Sequence, residues 1–125
     1  MRAENCAPVI VLLLTVAGLS CSPTPEAPAR ESETVREGRR IYVSDGCPTC
    51  HGRDRAGANN GPPLQELRAR WTEENLIRFL NEPSAFRQSD PRLRQLADRY
   101  KTVMPGPLRI DEARLRNLAG YLLQD

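Results

Sequence analysis

The sequence predicts a small all-α protein with about four to five helices, and three observations support this class. Apolar residues recur at helical spacing in four stretches of the chain, and these stretches open with residues that can cap a helix. No strong run of alternating β-branched residues predicts a strand. At 125 residues, the chain is long enough for one domain with a modest core.

Composition limits the kinds of partner that the protein can have. The formal net charge is +2, and Lys101 is the only lysine among 18 basic residues. The arginines are scattered among acidic residues instead of forming a basic run, so we expect no nucleic-acid partner. We also expect a monomer.

Residues 1–20 have the pattern of a signal peptide. Arg2 gives a positive start, and the apolar run that follows is too short to span a bilayer. The run ends in Ala17-Gly18-Leu19-Ser20-Cys21, which resembles a bacterial lipoprotein signal, so we expect cleavage before Cys21 and lipidation of its thiol. The protein would then be anchored on the periplasmic side of a bacterial membrane or at the cell surface. An ordinary secretory signal cleaved near Ser20, giving a secreted or periplasmic protein, and an uncleaved anchor are the alternatives.

Residues 21–33 are predicted to form a flexible tether. The segment SPTPEAPARES is rich in Pro, Ala, Ser and Glu and has no apolar periodicity. Extended at about 3 Å per residue, it would reach roughly 30 Å. The tether would let the domain at residues 34–125 move between membrane-bound partners.

The first helix is predicted to begin near Thr34 and to end near Asp45. Thr34 and Glu37 have the spacing of a capping box. Gly38 lies in the middle of this helix, where glycine costs about 1 kcal/mol relative to alanine, so a close helix crossing is expected there. The apolar stripe of the helix consists of Val35, Ile41 and Tyr42.

The most specific signal in the chain is Cys47-Pro48-Thr49-Cys50-His51. Two cysteines three positions apart, with a histidine directly after the second, form the attachment sequence for a c-type haem. Each thiol adds to one haem vinyl group, and the adjacent imidazole is then placed to bind the iron. The motif therefore predicts one covalently attached haem c, held by Cys47 and Cys50, with His51 as an iron ligand.

Three other interpretations of the motif compete with haem. A thioredoxin-like redox pair would need βαβ units, for which the sequence has no pattern. A zinc site would need four ligands, but His51 is the only histidine, and Cys6 and Cys21 lie in or at the end of the leader. A structural disulfide would leave His51 without a role. Both the leader and the haem motif predict an oxidising compartment outside the cytoplasm.

Two further helices are predicted after a polar loop at residues 53–60. One covers residues 73–80, with Thr72 as its cap and Pro83 beyond its end. Trp71 precedes it and is predicted to lie in the core, the alternative being a hydrogen bond to a haem propionate. The next helix opens at Asp90-Pro91, with a buried stripe of Leu93, Leu96, Ala97 and Tyr100.

From about Thr34 to the C-terminus, the sequence resembles the class I cytochromes c. Gly61-Pro62-Pro63-Leu64 matches the Gly-Pro-x-Leu stretch that follows the haem motif in that family. The resemblance implies that the Pro62 carbonyl accepts a hydrogen bond from the imidazole of His51, which would fix the tautomer and raise the basicity of the ligand. A plain turn is the alternative, since Gly-Pro-Pro breaks regular structure anywhere.

The same resemblance gives Met104 a role. In the family, a Met-Pro pair in the loop before the last helix supplies the sixth iron ligand, and here Met104 is followed by Pro105. A thioether sulfur in that position raises the potential relative to a second imidazole. The alternative is a methionine that fills a gap in the core.

The last helix is predicted over residues 112–123, with Asp111 as its cap. Its apolar face consists of Leu115, Leu118, Ala119 and Leu122. In the resembling family, the first and last helices cross through a glycine and an aromatic side chain. The resemblance therefore implies that Gly38 and Tyr42 meet Leu118 and Tyr121.

The resemblance implies a single-electron carrier of the bacterial cell envelope and not an enzyme. With His51 and Met104 both bound to iron, no substrate would reach the metal. The expected partners are other redox proteins, met through small and weak contacts near the haem edge. The alternatives are a haem subunit or domain of a larger oxidoreductase complex, and a haem enzyme or sensor whose sixth ligand can be displaced.

Overall fold

A computed structural model of the chain describes residues 31–106 and 109–124. Within these residues the backbone forms six α-helices and a short 3-10 turn, and no strand, which confirms the all-α prediction. The predicted signal peptide, Cys21 and the tether as far as residue 30 lie outside the described residues. No helix in the described part is both long and apolar enough to cross a membrane. The helices are α1 (Glu33–Ser44), α2 (Pro48–His51), α3 (Glu73–Asn81), α4 (Pro83–Ser89), α5 (Pro91–Arg99) and α6 (Glu112–Leu122), with the 3-10 turn at Leu67–Ala69.

Helix α1 begins one residue before the predicted start, and its cap differs from the prediction. The N-cap is Ser32, whose hydroxyl accepts a hydrogen bond from the Val35 N–H at 3.3 Å. Ser32 has the extended backbone that a cap requires, whereas Thr34 already lies inside the helix. The predicted capping box of Thr34 and Glu37 is therefore wrong, and the Glu37 carboxylate pairs with Arg40 at 3.3 Å instead.

The three other predicted caps are confirmed. Thr72 caps α3 by accepting from the Asn75 N–H at 3.2 Å, and Asp90 caps α5 by accepting from the Arg92 N–H at 2.9 Å. Asp111 caps α6 by accepting from the backbone N–H three residues later, at 2.8 Å. Each cap satisfies a backbone donor that the first helical turn leaves without a partner.

Helices α2 and α4 were not predicted from the sequence. Helix α2 is a single turn formed by the cysteine motif itself, and a four-residue helix has no apolar periodicity to detect. Pro83 ends α3 as predicted but also opens α4, because a proline at the first helical position loses no intrahelical hydrogen bond. The helix count is therefore higher than the predicted four to five.

Packing of α1 against α6 forms the centre of the core, as the resemblance implied. A Cβ atom on Gly38 would overlap the Asn117 carbonyl oxygen and would lie 2.6 Å from the Tyr121 Cβ, so only glycine fits there. The ring centroids of Tyr42 and Tyr121 are 5.5 Å apart across the same crossing. The buried residues of the core are Val35, Ile41, Tyr42, Leu76, Leu80, Leu115, Leu118, Ala119, Tyr121, Leu122 and Leu123.

The predicted buried stripe of α5 is only half-buried. Leu93, Leu96, Ala97 and Tyr100 are all intermediate in exposure, and α5 contributes no buried residue. These side chains line a cavity instead of packing into the core between α1 and α6. The periodicity correctly identified the inward face of α5 but did not show what that face contacts.

We expect Gly38→Ala to lower the free energy of unfolding by about 1–3 kcal/mol, because an added methyl group forces two packed backbones apart. Chemical denaturation of the purified haem-loaded protein measures this change.

Gly120→Ala is the matched control. A Cβ atom there would meet only the Thr34 methyl group, at 2.9 Å, and this group can shift. The helix propensity of alanine offsets the cost, so we expect stability within about 1 kcal/mol of wild type. Equal stabilities for the two variants would contradict the close crossing at Gly38.

Candidate cofactor site

A cavity of about 550 Å³ lies between the cysteine motif, α3, α5 and the loop that carries Met104. Its volume is in the range of small-molecule and cofactor sites, and most of its lining is apolar. Four of the residues predicted for the haem site line it: Cys47, His51, Pro62 and Met104. The structure therefore brings together residues that are far apart in the sequence.

Helix α2 places the two cysteines one helical turn apart. Cys47 is its N-cap, and the Cys47 carbonyl accepts hydrogen bonds from the N–H groups of Cys50 at 3.2 Å and His51 at 3.0 Å. Both thiols are half-buried and neither is in a disulfide. Cys50 is not among the residues that line the cavity, so within this turn only Cys47 and His51 line it directly.

The surroundings of the thiols distinguish between the interpretations of the motif. Burial, reinforced by the Asp45 carboxylate, raises the pKa of the Cys47 thiol to about 11. A catalytic redox cysteine has the opposite property, a lowered pKa. The described residues contain no group of three or more His, Cys, Asp and Glu side chains that could hold a metal.

His51 has a fixed orientation and a defined tautomer. Its Nδ1 atom lies 2.8 Å from the Pro62 carbonyl oxygen. A carbonyl oxygen only accepts hydrogen bonds, so Nδ1 must carry the proton and donate it. In the neutral imidazole, Nε2 is then the nitrogen without a proton, and a neutral imidazole nitrogen is the form that binds a metal.

The loop that carries Pro62 is tied to the motif through backbone hydrogen bonds. The Gly57 N–H donates to the His51 carbonyl at 2.8 Å, and the Leu64 N–H donates to the Arg55 carbonyl at 2.8 Å. The first bond ties the loop to the last residue of α2, and the second joins the two halves of the loop on the other side of Pro62. The predicted polar loop is therefore an ordered part of the site.

Tyr42 connects α1 to the end of α2, a role that the sequence analysis did not predict. Its side chain is 1% exposed and lines the cavity, and its hydroxyl donates to the Gly52 carbonyl at 2.6 Å. Burial raises the pKa of the Tyr42 phenol well above its usual range, so the hydroxyl remains a donor at any physiological pH.

The loop between α5 and α6 brings Met104 to the cavity. Met104 is half-buried and lines the same cavity as His51. Two residues later, Gly106 packs so closely on the buried Pro83 ring that a Cβ atom would lie 2.5 Å from its Cδ atom. This contact places the chain after Met104 against the first residue of α4.

An aromatic cluster lies beside the cavity, and two of its rings, Trp71 and Phe79, line it. The Trp71 ring lies 5.0 Å from that of Phe79 and 6.2 Å from that of Phe86, measured between centroids. Trp71 is half-buried and packs against the core while lining the cavity, so it lies at the border between core and site.

The charges that line the cavity all have the same sign. Four arginines line it, and no aspartate or glutamate is among its lining residues. Three of the four are exposed and Arg87 is half-buried. This set was not predicted from the sequence, because its members come from three elements. Arg70 follows the 3-10 turn, Arg87 lies on α4, and Arg92 and Arg99 lie on α5.

These residues fit a covalently bound haem. The thiols of Cys47 and Cys50, one helical turn apart, suit attachment to two vinyl groups. The imidazole of His51 and the thioether of Met104 are both groups that bind iron, and the apolar lining suits a porphyrin. The arginines supply positive charge for the two haem carboxylates. The site therefore defines the class of protein as a c-type haem protein.

Comparison with protein-family models supports this class. The model of the family described as Cytochrome c matches residues 35–124. The chain therefore belongs to the cytochrome c family, and it carries covalently attached haem c, whose iron performs electron transfer. Searches of curated proteins and of solved structures found no match.

Proposed function

We propose that this protein is a single-electron carrier of the bacterial cell envelope, a class I cytochrome c with His51 and Met104 as its axial iron ligands. The observation that carries the proposal is that both residues, although far apart in the sequence, line one cavity next to the cysteine motif. The histidine is also held in the tautomer that a metal requires.

Each residue of the site has a distinct role in this proposal. Cys47 and Cys50 hold the cofactor covalently, which prevents its loss outside the cytoplasm. When bound, haem c supplies one iron that alternates between the ferric and ferrous states. His51 donates a hydrogen bond from Nδ1–H to the Pro62 carbonyl, which makes its imidazole a more basic ligand. Met104 supplies a soft thioether, which favours the ferrous state.

Two filled axial positions favour a carrier over an enzyme. Peroxide or oxygen chemistry at haem needs an open or easily opened iron, and usually a nearby acid–base group. His51 is the only histidine in the chain, so no second imidazole can play that part. A haem subunit of a larger oxidoreductase complex would have the same site, and it is the alternative that these residues also fit.

Met104→Ala tests the ligand set. Removal of the thioether should open the sixth position, so the ferrous protein should lose its low-spin spectrum and bind carbon monoxide readily. The reduction potential should fall by on the order of 0.1 V, a fraction of the range of about 0.8 V that axial ligands control. Absorption spectra and a redox titration measure both effects.

Val103→Ala is the matched control, because Val103 is in the same loop and 60% exposed. We expect it to keep the wild-type spectrum, potential and inertness to carbon monoxide. A wild-type protein that itself binds carbon monoxide readily would favour the enzyme or sensor. An unchanged spectrum in Met104→Ala would remove Met104 from the ligand set.

We further propose that the redox partners approach the cavity with an acidic surface. Four arginines line the cavity, and Arg92 among them pairs with Asp90 at 2.6 Å. Three arginines therefore remain for the two haem carboxylates, which leaves one positive charge there. Helix α5 and the two residues after it add Arg94 and Lys101 to this charge, and Asp98 is the only acid in this stretch. Like-signed charge around a site steers oppositely charged partners and accelerates their association.

Small oxidants of opposite charge test this proposal without knowledge of the natural partner. The rate of oxidation by ferricyanide, a trianion, should fall as salt is added, and the rate with tris(phenanthroline)cobalt(III), a trication, should rise. Arg99→Gln should slow ferricyanide at low salt by about twofold or more.

Arg36→Gln is the control, because it changes the net charge equally but lies on α1. Equal slowing by the two variants would show that only net charge matters, and it would exclude a local basic surface.

We propose that Cys21 is lipidated and that the haem domain is tethered on the periplasmic side of a bacterial membrane. The support is the pattern of residues 1–33: a short apolar leader, small residues before Cys21, and a Pro-rich segment that would act as a leash.

Fractionation of bacterial cells that express the wild type and Cys21→Ser tests the anchor. The wild type should sediment with membranes and be released by detergent, and Cys21→Ser should lose this membrane association because no acyl chain is attached. An equal distribution of the two proteins between membrane and soluble fractions would contradict lipidation at Cys21.

A further inference from the structure

Arg55 has a backbone conformation that is unusual for its residue type. Its φ angle is +62°, in the left-handed region that favours glycine, and the residue is half-buried. A non-glycine residue persists in this region only when its surroundings hold it there. The contacts of Arg55 therefore stabilise this backbone conformation.

The side chain of Arg55 caps the C-terminal end of α6. Its Nη1 atom lies within hydrogen-bonding distance of three backbone carbonyl oxygens: those of Tyr121 at 3.0 Å, Leu122 at 3.3 Å and Gln124 at 2.8 Å. The guanidinium carbon is also 4.9 Å from the centre of the Tyr121 ring. Carbonyls at the end of a helix lack intrahelical partners and carry partial negative charge, so a cation is stabilising there.

The backbone of Arg55 is part of the loop that fixes the haem-binding histidine. Its carbonyl accepts from the Leu64 N–H at 2.8 Å, two residues after Pro62. The Pro62 carbonyl in turn accepts from His51 Nδ1 at 2.8 Å. Arg55 therefore contacts α6 through its side chain and the Pro62 segment through its main chain.

We propose that Arg55 is a positioning residue that holds the Pro62 carbonyl against His51 by anchoring their loop to α6. Helix α6 packs in the core against α1, so it gives the loop a rigid support. The proposal rests on the proposed function in one respect, namely that His51 binds the iron. It adds that the strength of the His51–Pro62 hydrogen bond, and with it the reduction potential, depends on a side chain that is not part of that hydrogen bond.

A second arginine provides a matched control. Arg68 also bonds the end of α6, through its Nε atom to the Leu123 carbonyl at 3.0 Å. Arg68 belongs to the 3-10 turn, and no hydrogen bond joins it to the segment from His51 to Leu64. Removal of the Arg68 side chain therefore breaks a hydrogen bond at the C-terminal end of α6 but leaves the hydrogen bonds of the Pro62 loop intact.

The test compares Arg55→Gly and Arg68→Ala in the haem-loaded protein. Glycine accepts a positive φ, so Arg55→Gly removes the side chain and leaves the backbone conformation accessible. The deciding measurement is the hydrogen-exchange rate of the His51 Nδ1 proton by NMR in the ferrous state, together with a redox titration.

We expect Arg55→Gly to accelerate this exchange by about tenfold or more, because the hydrogen bonds it loses involve a charged group. We expect its potential to rise, because a weaker hydrogen bond makes the histidine a less basic ligand. Arg55→Lys keeps a cation and should lie between wild type and Arg55→Gly, and it supplies the comparison if the glycine variant does not retain haem. Arg68→Ala should match the wild type in both measurements.

Wild-type exchange and potential in Arg55→Gly would overturn the positioning role, and so would equal changes in Arg68→Ala. These results would leave the proposed function intact, provided that the wild type keeps a low-spin ferrous spectrum. A wild type without His51 on its iron would overturn the proposed function itself.

Discussion

The hydrogen bond from His51 Nδ1 to the Pro62 carbonyl is the contact on which the site depends. At 2.8 Å it fixes both the direction of the imidazole and the nitrogen that carries the proton. It joins a one-turn helix to a loop that begins with Gly52 and returns at Leu64. Neither partner would hold this geometry alone, because α2 is too short to be stable without tertiary contacts.

The crossing of α1 and α6 supplies the support for that contact. Gly38 lets the two backbones approach, and the Tyr42 hydroxyl bonds the Gly52 carbonyl, which links α1 to the end of α2. From the other side, Arg55 bonds the end of α6 and lies in the loop that carries Pro62. Polar contacts from both helices of the pair thus join the core to the site.

Charge is distributed differently on the two sides of the molecule. On α1 and α6, arginines pair with acids on the same helix: Glu33 with Arg36, Glu37 with Arg40, and Glu112 with Arg116. These pairs are exposed and add little stability, but they neutralise those surfaces. No acid lines the cavity, and of its four arginines only Arg92 pairs with an acid, Asp90, so the other three remain for anionic groups. A nearly neutral sequence therefore folds into a protein with a cavity whose charged lining residues are all arginines.

The sequence alone determined the features that depend on neighbours in the chain. The caps at Thr72, Asp90 and Asp111 are confirmed, because capping acts over a few residues. The prediction of haem c from the cysteine motif agrees with the family match, because attachment chemistry is equally local. The tertiary structure decided which distant residues meet. It alone revealed that Arg55 reaches the end of α6, that the stripe of α5 faces a cavity, and that four arginines line this cavity. The reason is physical: periodicity shows which face of a helix is buried, but the element that this face contacts depends on how the whole chain packs.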